Sequence, residues 1–288
     1  MANNSYSAEC VDLCSPVRNR YYYGKLLDVF HFELEQKYFN NKRHLLNRLV
    51  SGYGVICGLN VTLGADGQSV VVLPGVAIDK CGREIMVCQP ADPFPLPAPQ
   101  PAPPVSTGTG SGAPSAPGAP VTVATNAPSA PTVAAPPPAT SDCSDSGVYK
   151  HLSICYHECP TDPSPALGGD CDSEAVCTPG SIREKYCLKL CDGKLCPAST
   201  TSPLQSVVAG GALNYAMLAT YVANLQCPGS SMDCCIPLAN IQIPTVPQTY
   251  TQNSINVAIR PLLYTADMLY ELLLALMNQG QPQLQGGK

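Results

Sequence analysis

"VICGLNVTLGADGQSVVVLPGVAIDKCGREIMV" (residues 55–87) is the stretch whose reading decides the fold. Val55, Cys57, Leu59, Val61 and Leu63 alternate with Ile56, Gly58, Asn60 and Thr62, the two-residue period of a strand with one buried face. On that face Cys57, beside Leu59 and Val61, reads as a small buried thiol. Asp66-Gly67 is a tight-hairpin signal, because both residue types tolerate the positive φ of such turns. Residues 69–79 form the return strand, broken at Pro74-Gly75, where a proline must sit at an edge or a bulge. Residues 79–82 turn again into a third strand over 83–87, which completes an antiparallel meander.

Upstream, "DVFHFELEQKYFNNKRHLLNRLV" (28–50) has the 3.6-residue period of a helix of about six turns. Asp28 is its expected N-cap and Gly52 its stop. Phe30, Leu34, Tyr38, Leu45 and Leu49 make one apolar stripe, expected to pack on the first hairpin. Before the helix, Tyr21, Tyr22 and Tyr23 lie in an extended segment. Consecutive side chains there point to opposite faces, so at least one is expected to meet another chain.

Downstream the composition changes abruptly. Residues 93–141 contain no Asp, Glu, Lys or Arg, and 16 of the 30 prolines fall between positions 90 and 138. A linker or expanded loop, part polyproline II and part flexible, is the expected state of this Pro/Ala/Ser/Thr-rich tract. After it, 148–158 and 182–190 alternate as strands around an irregular, cysteine-bearing loop over 159–180. Residues 211–226 read as a helix with Leu218, Tyr221, Val222 and Leu225 on one side, and 236–243 and 254–261 as strands. Thr265 caps a last helix that Gly280 ends. It is apolar almost all round, so Leu269, Leu272, Leu273 and Leu276 belong to a deep core or a subunit contact.

The fold class is therefore α+β: a long N-terminal helix, an antiparallel mostly-β body and two further helices, interrupted by a low-complexity insertion. Three segments follow: 1–92 with the helix and meander, 93–142 as the linker, and 143–288 as a cysteine-rich α+β part.

Composition narrows the function classes. A formal net charge of −5, with nine basic and nine acidic residues in 1–92, leaves no basic patch for nucleic acid. No basic n-region or apolar h-region opens the chain, and "MLYELLLALM" (268–277) is too short to span a bilayer. The expectation is cytoplasmic synthesis without a signal peptide or transmembrane segment. No C-x-x-C occurs among the 16 cysteines. The best metal candidate is "CYHEC", where Cys155, His157 and Cys159 share a strand face and Cys171 or Cys177 would complete a zinc site. Disulfides and free buried thiols are the alternatives, so no cofactor is assigned beyond this candidate zinc. No spacing of Ser, His and acidic residues, no H-E-x-x-H and no phosphate loop appears, which points away from an enzyme.

The strings "RYYYGKLLDVFHFELEQKYFNNKRHLLNRLVSGYGVICGLNV", "VVVLPGVAIDKCGREIMV", "HLSICYHECPTDPSPA", "SIREKYCLKL", "CIPLANIQI" and "IRPLLYTADMLYELLLAL" come in an order that resembles a little-characterised bacterial family. That family is associated with gene clusters of phage-tail-like contractile injection systems. The resemblance covers most of 17–92 and 147–277. It implies a structural subunit at the baseplate, tail surface or an anchoring point, with other protein subunits as partners and oligomeric assembly. It also implies one interleaved unit, with strands 148–158 and 182–190 joining the sheet begun at 55–87. The particle would leave the cell by lysis. The alternative is an adhesion module stabilised by disulfides or zinc and carried on the Pro-rich tract as a stalk.

Overall fold

Between Gly58 and Val61 the chain leaves one sheet and enters another, and the rest of the fold follows from that corner. The structure, a computed structural model, describes residues 15–101, 147–165, 177–197, 204, 207–209, 212–225 and 233–279. The first half holds helix α1 (Val29–Leu46), then strands β1 (Gly54–Gly58), β2 (Val61–Leu63), β3 (Ser69–Val72), β4 (Gly75–Ile78), β5 (Glu84–Val87) and β6 (Phe94–Pro95). The second half holds β7 (Tyr149–Pro165), β8 (Cys177–Asp192), β9 (Val208–Ala209), β10 (Ala212–Leu213), helix α2 (Tyr215–Asn224), β11 (Ile236–Gln242), β12 (Ile255–Asn256) and helix α3 (Ala266–Gln279). The class is α+β.

The expected single strand over 55–63 is two strands. Gly58 and Leu59 both take positive φ, 64° and 53°, and the chain turns there. Strand β1 then joins the sheet β1-β4-β5, while β2 joins β2-β3-β6. Gly58 pairs with Gly75, and a Cβ on Gly58 would lie 2.1 Å from the Pro74 carbonyl oxygen, so the two chains cross too closely for any side chain. The corner also breaks the alternation. Leu59 and Val61 are buried, but Cys57 is exposed, which corrects its expected place in the core. Arg260 clamps the corner to the second half: its Nε donates to the Leu238 carbonyl (3.1 Å), Nη1 to that of Gly58 (3.3 Å) and Nη2 to Asn60 Oδ1 (3.2 Å).

The third sheet has the order β12-β11-β7-β8. Its strands do not extend the sheet begun at 55–87, as the resemblance implied; they pack against it. One core holds Val55, Leu59, Val70 and Ile85 from the first half with Leu152, Ile154, Leu238 and Ile241 from the second. Asn240, buried in this sheet, exchanges two hydrogen bonds with the backbone of Leu195 (3.0 and 2.7 Å) and so fixes the chain beyond β8. Strands β7 and β8 are longer than expected. The ladder runs from Lys150–Asp192 to Pro165–Cys177, so the described parts of the expected loop, 159–165 and 177–180, are a two-stranded ribbon, exposed at Pro163 and over 178–180; 166–176 lie outside the described residues. The expected strand over 254–261 is reduced to Ile255–Asn256. Most of the charge-free tract lies outside the described residues.

Candidate assembly interface

Helix α1 begins as the sequence expects. The Asp28 side chain accepts from the His31 amide (3.2 Å), and the His31 ring faces back toward Asp28 in a capping box. That hydrogen bonding holds the Asp28 carboxyl below its usual range. At the other end the helix continues as one wider π-turn, Asn47–Ser51, and stops at Gly52 with φ 85°.

The contacts that join α1 to the body gather at its C-terminal end. Asn47 Nδ2 donates to the Gly82 carbonyl (2.9 Å) and to Glu84 Oε1 (2.8 Å), and Arg43 Nε lies 3.2 Å from Glu84 Oε1. The receiving turn is prepared by Asp79. Its fully buried carboxylate accepts the amides of Cys81 and Arg83 (2.8 and 2.9 Å) and the Arg83 Nε (2.7 Å). Gly82, at φ 88°, comes so close to α1 that a Cβ there would lie 2.0 Å from the His44 carbonyl oxygen. Burial and the neighbouring Arg43 push the His44 imidazole below its usual pKa.

No residue of α1 is buried, and Phe30 keeps 63% of its surface. The expected stripe is therefore not covered by the first hairpin: Leu34, Tyr38 and Leu45 are half-buried, while Phe30 and Leu49 are exposed. Attachment through the last turn leaves Phe30 and Phe32, in the first turn, exposed. Tyr21, Tyr22 and Tyr23 are all exposed, with the Tyr21 hydroxyl folded back onto Glu35 of α1.

Helix α3 is in the same position. Thr265 caps it, its Oγ1 accepting from the Met268 amide (3.2 Å). Every side chain from Ala266 to Leu276 is exposed, including Leu269, Leu272, Leu273 and Leu276, the last at 65%. They are not in a deep core of the subunit. The two helices also share a root. Val55, just past α1, is bridged in parallel to Leu262, just before α3, through Val55 N to Pro261 O (2.8 Å) and Leu263 N to Val55 O (2.9 Å). Val50, Tyr53, Leu262 and Tyr264 stand exposed around that junction. Helix α2 adds Tyr215, Val222 and Leu225, all exposed.

The candidate zinc ligands do not converge. Cys155 is bonded to Cys235 in a disulfide, so its thiolate is not free for a metal. His157 is exposed and Cys159 half-buried, further out along β7. At about 3.3 Å per residue, Cys159 is roughly 13 Å from Cys155 along the strand. Cys177 pairs with Pro165, about 33 Å away along the ribbon by the same rise, and Cys171 lies outside the described residues. Among the described residues no group of three or more His, Cys, Asp or Glu is placed to hold a metal ion. A second disulfide joins Cys81, in the Asp79 turn, to Cys234, so adjacent cysteines reach both halves of the fold. Neither pairing carries a spacing signal in the sequence.

An open groove of about 870 Å³ lies where Gln100 pairs with Thr245; Gln242, Gln248, Thr251 and Asn253 line it with amides and hydroxyls. It offers no acid–base pair. No helix among the described residues is long and apolar enough to cross a membrane. No protein-family description, curated protein or solved structure matches the chain.

Proposed function

We propose that this chain is a non-enzymatic structural subunit of a phage-tail-like contractile injection system, at its baseplate, tail surface or anchoring region. The observation that carries the assembly reading is the pair of helices α1 and α3, whose roots are bridged: α1 has no buried residue and exposes Phe30, Phe32 and Phe39, and the apolar α3 is exposed from Ala266 to Leu276. A 14-residue helix is marginal on its own in water. Fully burying an exposed leucine stabilises by about 1.5–3 kcal/mol; Leu269, Leu272, Leu273 and Leu276 keep about half of their surface, so covering them would hold α3 by roughly 3–6 kcal/mol before association costs. The charged side chains of α3 among its described residues, Asp267 and Glu271, are acidic, which favours a protein partner over an anionic lipid surface. The particle type rests on the resemblance of residues 17–92 and 147–277 set out above. Co-sedimentation of the tagged chain with purified sheath and tube tests it. Retention in the particle fraction through a salt wash is the expected result; recovery wholly outside that fraction removes the assignment.

A second reading draws on the disulfides and on the projecting β7–β8 ribbon: a cysteine-stabilised adhesion module. Pro160, Pro163, Pro165 and Pro179 interrupt the ribbon's free edges, which suits a projecting element that must not pair with other strands. Deleting the ribbon tip separates the two readings. Loss of surface binding with particle incorporation intact supports adhesion, and loss of incorporation supports assembly.

A further inference from the structure

Three cysteines stand in one row across the third sheet. Cys187 on β8 is the direct ladder partner of Cys155 on β7. Cys235 is bonded to Cys155 from the opposite side, one residue before the Ile236–Ile154 pair of β11 and β7. Directly opposed residues of antiparallel strands share a face, so the three sulfurs do too. The Cα atoms of Cys155 and Cys235 are 4.4 Å apart, the spacing of a non-hydrogen-bonded pair. A residue's N–H and C=O point to the same side of its strand. Cys155 therefore makes its ladder bonds toward Cys187, at a Cα spacing of about 5.5 Å, within the range a disulfide spans. Cys187 is a free, half-buried thiol. With strands about 4.8 Å apart, Cys187 lies across β7 from Cys235, on the side from which a thiolate would approach Cys155 opposite the leaving sulfur.

We propose that this row is a thiol–disulfide exchange site in which Cys187 takes Cys155 from Cys235. The Cys187 thiolate attacks Cys155 Sγ, and the Cys155–Cys235 bond breaks. The bonding pair leaves with Cys235, which takes up the proton that Cys187 gave to solvent. One S–S bond forms and one breaks, so no external oxidant or reductant is consumed. Before exchange, the cross-link ties β7 to the segment entering β11. After it, the cross-link lies between β7 and β8, and that segment keeps its Cys234–Cys81 tether. The row thus moves a covalent restraint between the body and the ribbon without changing the oxidation level. This is independent of the particle assignment.

The test uses the full chain, oxidised as purified. It is alkylated with N-ethylmaleimide for graded times, quenched in acid, digested without reduction and read by mass spectrometry. The expected result is label divided between Cys187 and Cys235, with a Cys155–Cys187-linked peptide growing in step with the Cys235 label. In Cys187→Ser, label at Cys235 should vanish. Label confined to Cys187 with only the Cys155–Cys235 link overturns the proposal, as does label on all three cysteines. Label at Cys235 in the Cys187→Ser variant does the same, because release would then not need Cys187.

Discussion

Asp79 holds the residue-scale logic of the fold. Its carboxylate is fully buried yet accepts from two amides and from Arg83, whose guanidinium also lies 4.7 Å from the Tyr156 ring. Removing one partner of such a pair strands the other charge, so Asp79→Ala should destabilise by about 3–5 kcal/mol in chemical denaturation. Gly82→Ala strikes the same turn, combining a positive φ with a clash on His44 O, and should cost more than about 1 kcal/mol in the same measurement. His44 makes the root of α1 acid-sensitive. Its folded pKa lies below the ordinary value of 6.5, so the unfolded chain binds the proton more readily. The stabilisation it represents is whole above pH 6.5 and is lost as pH falls toward the folded value. Melting temperature followed from pH 7.5 to 5 should fall more steeply in the wild type than in His44→Gln. At this scale the sequence was partly legible. Asp28, Gly52 and Thr265 do what their residue types announce. The face of Cys57 and the pairing of Cys155 were not legible, because a two-residue kink at Gly58-Leu59 and a contact 80 residues away in sequence leave no local trace.

Elements with strong periodicity were readable and their surroundings were not. Helix α1, the Asp66-Gly67 hairpin, β11 and α3 stand close to where the pattern puts them. The stripe on α1 is an apolar pattern, and a pattern does not say whether its cover comes from the same chain or another. The β7–β8 ribbon outran its expected length because the prolines that looked like loop signals sit on free edges, where no ladder bond is lost. The element-scale prediction falls on α3. Leu269→Glu combined with Leu273→Glu should abolish association, read as particle incorporation or as mass in solution. It should leave the unfolding midpoint of the monomeric body within about 0.5 kcal/mol of the wild type, as expected for exposed positions.

At the scale of the whole molecule, one core joins the two halves, and the disulfides Cys81–Cys234 and Cys155–Cys235 close sequence separations of 153 and 80. In the chain-entropy account, restraints over loops of this size contribute about 4–5 kcal/mol each through the unfolded chain. Reduction should therefore lower the denaturation midpoint clearly while leaving far-ultraviolet dichroism native below it. On the surface, helices α1 and α3 are the proposed assembly interface. Sedimentation velocity of the purified full chain, alone and mixed with particle components, tests this most directly. The wild type is expected to sediment above the 30.3 kDa of a single chain, with the Leu269→Glu/Leu273→Glu variant returning to that mass. A wild-type chain that stays at 30.3 kDa in both conditions would contradict it.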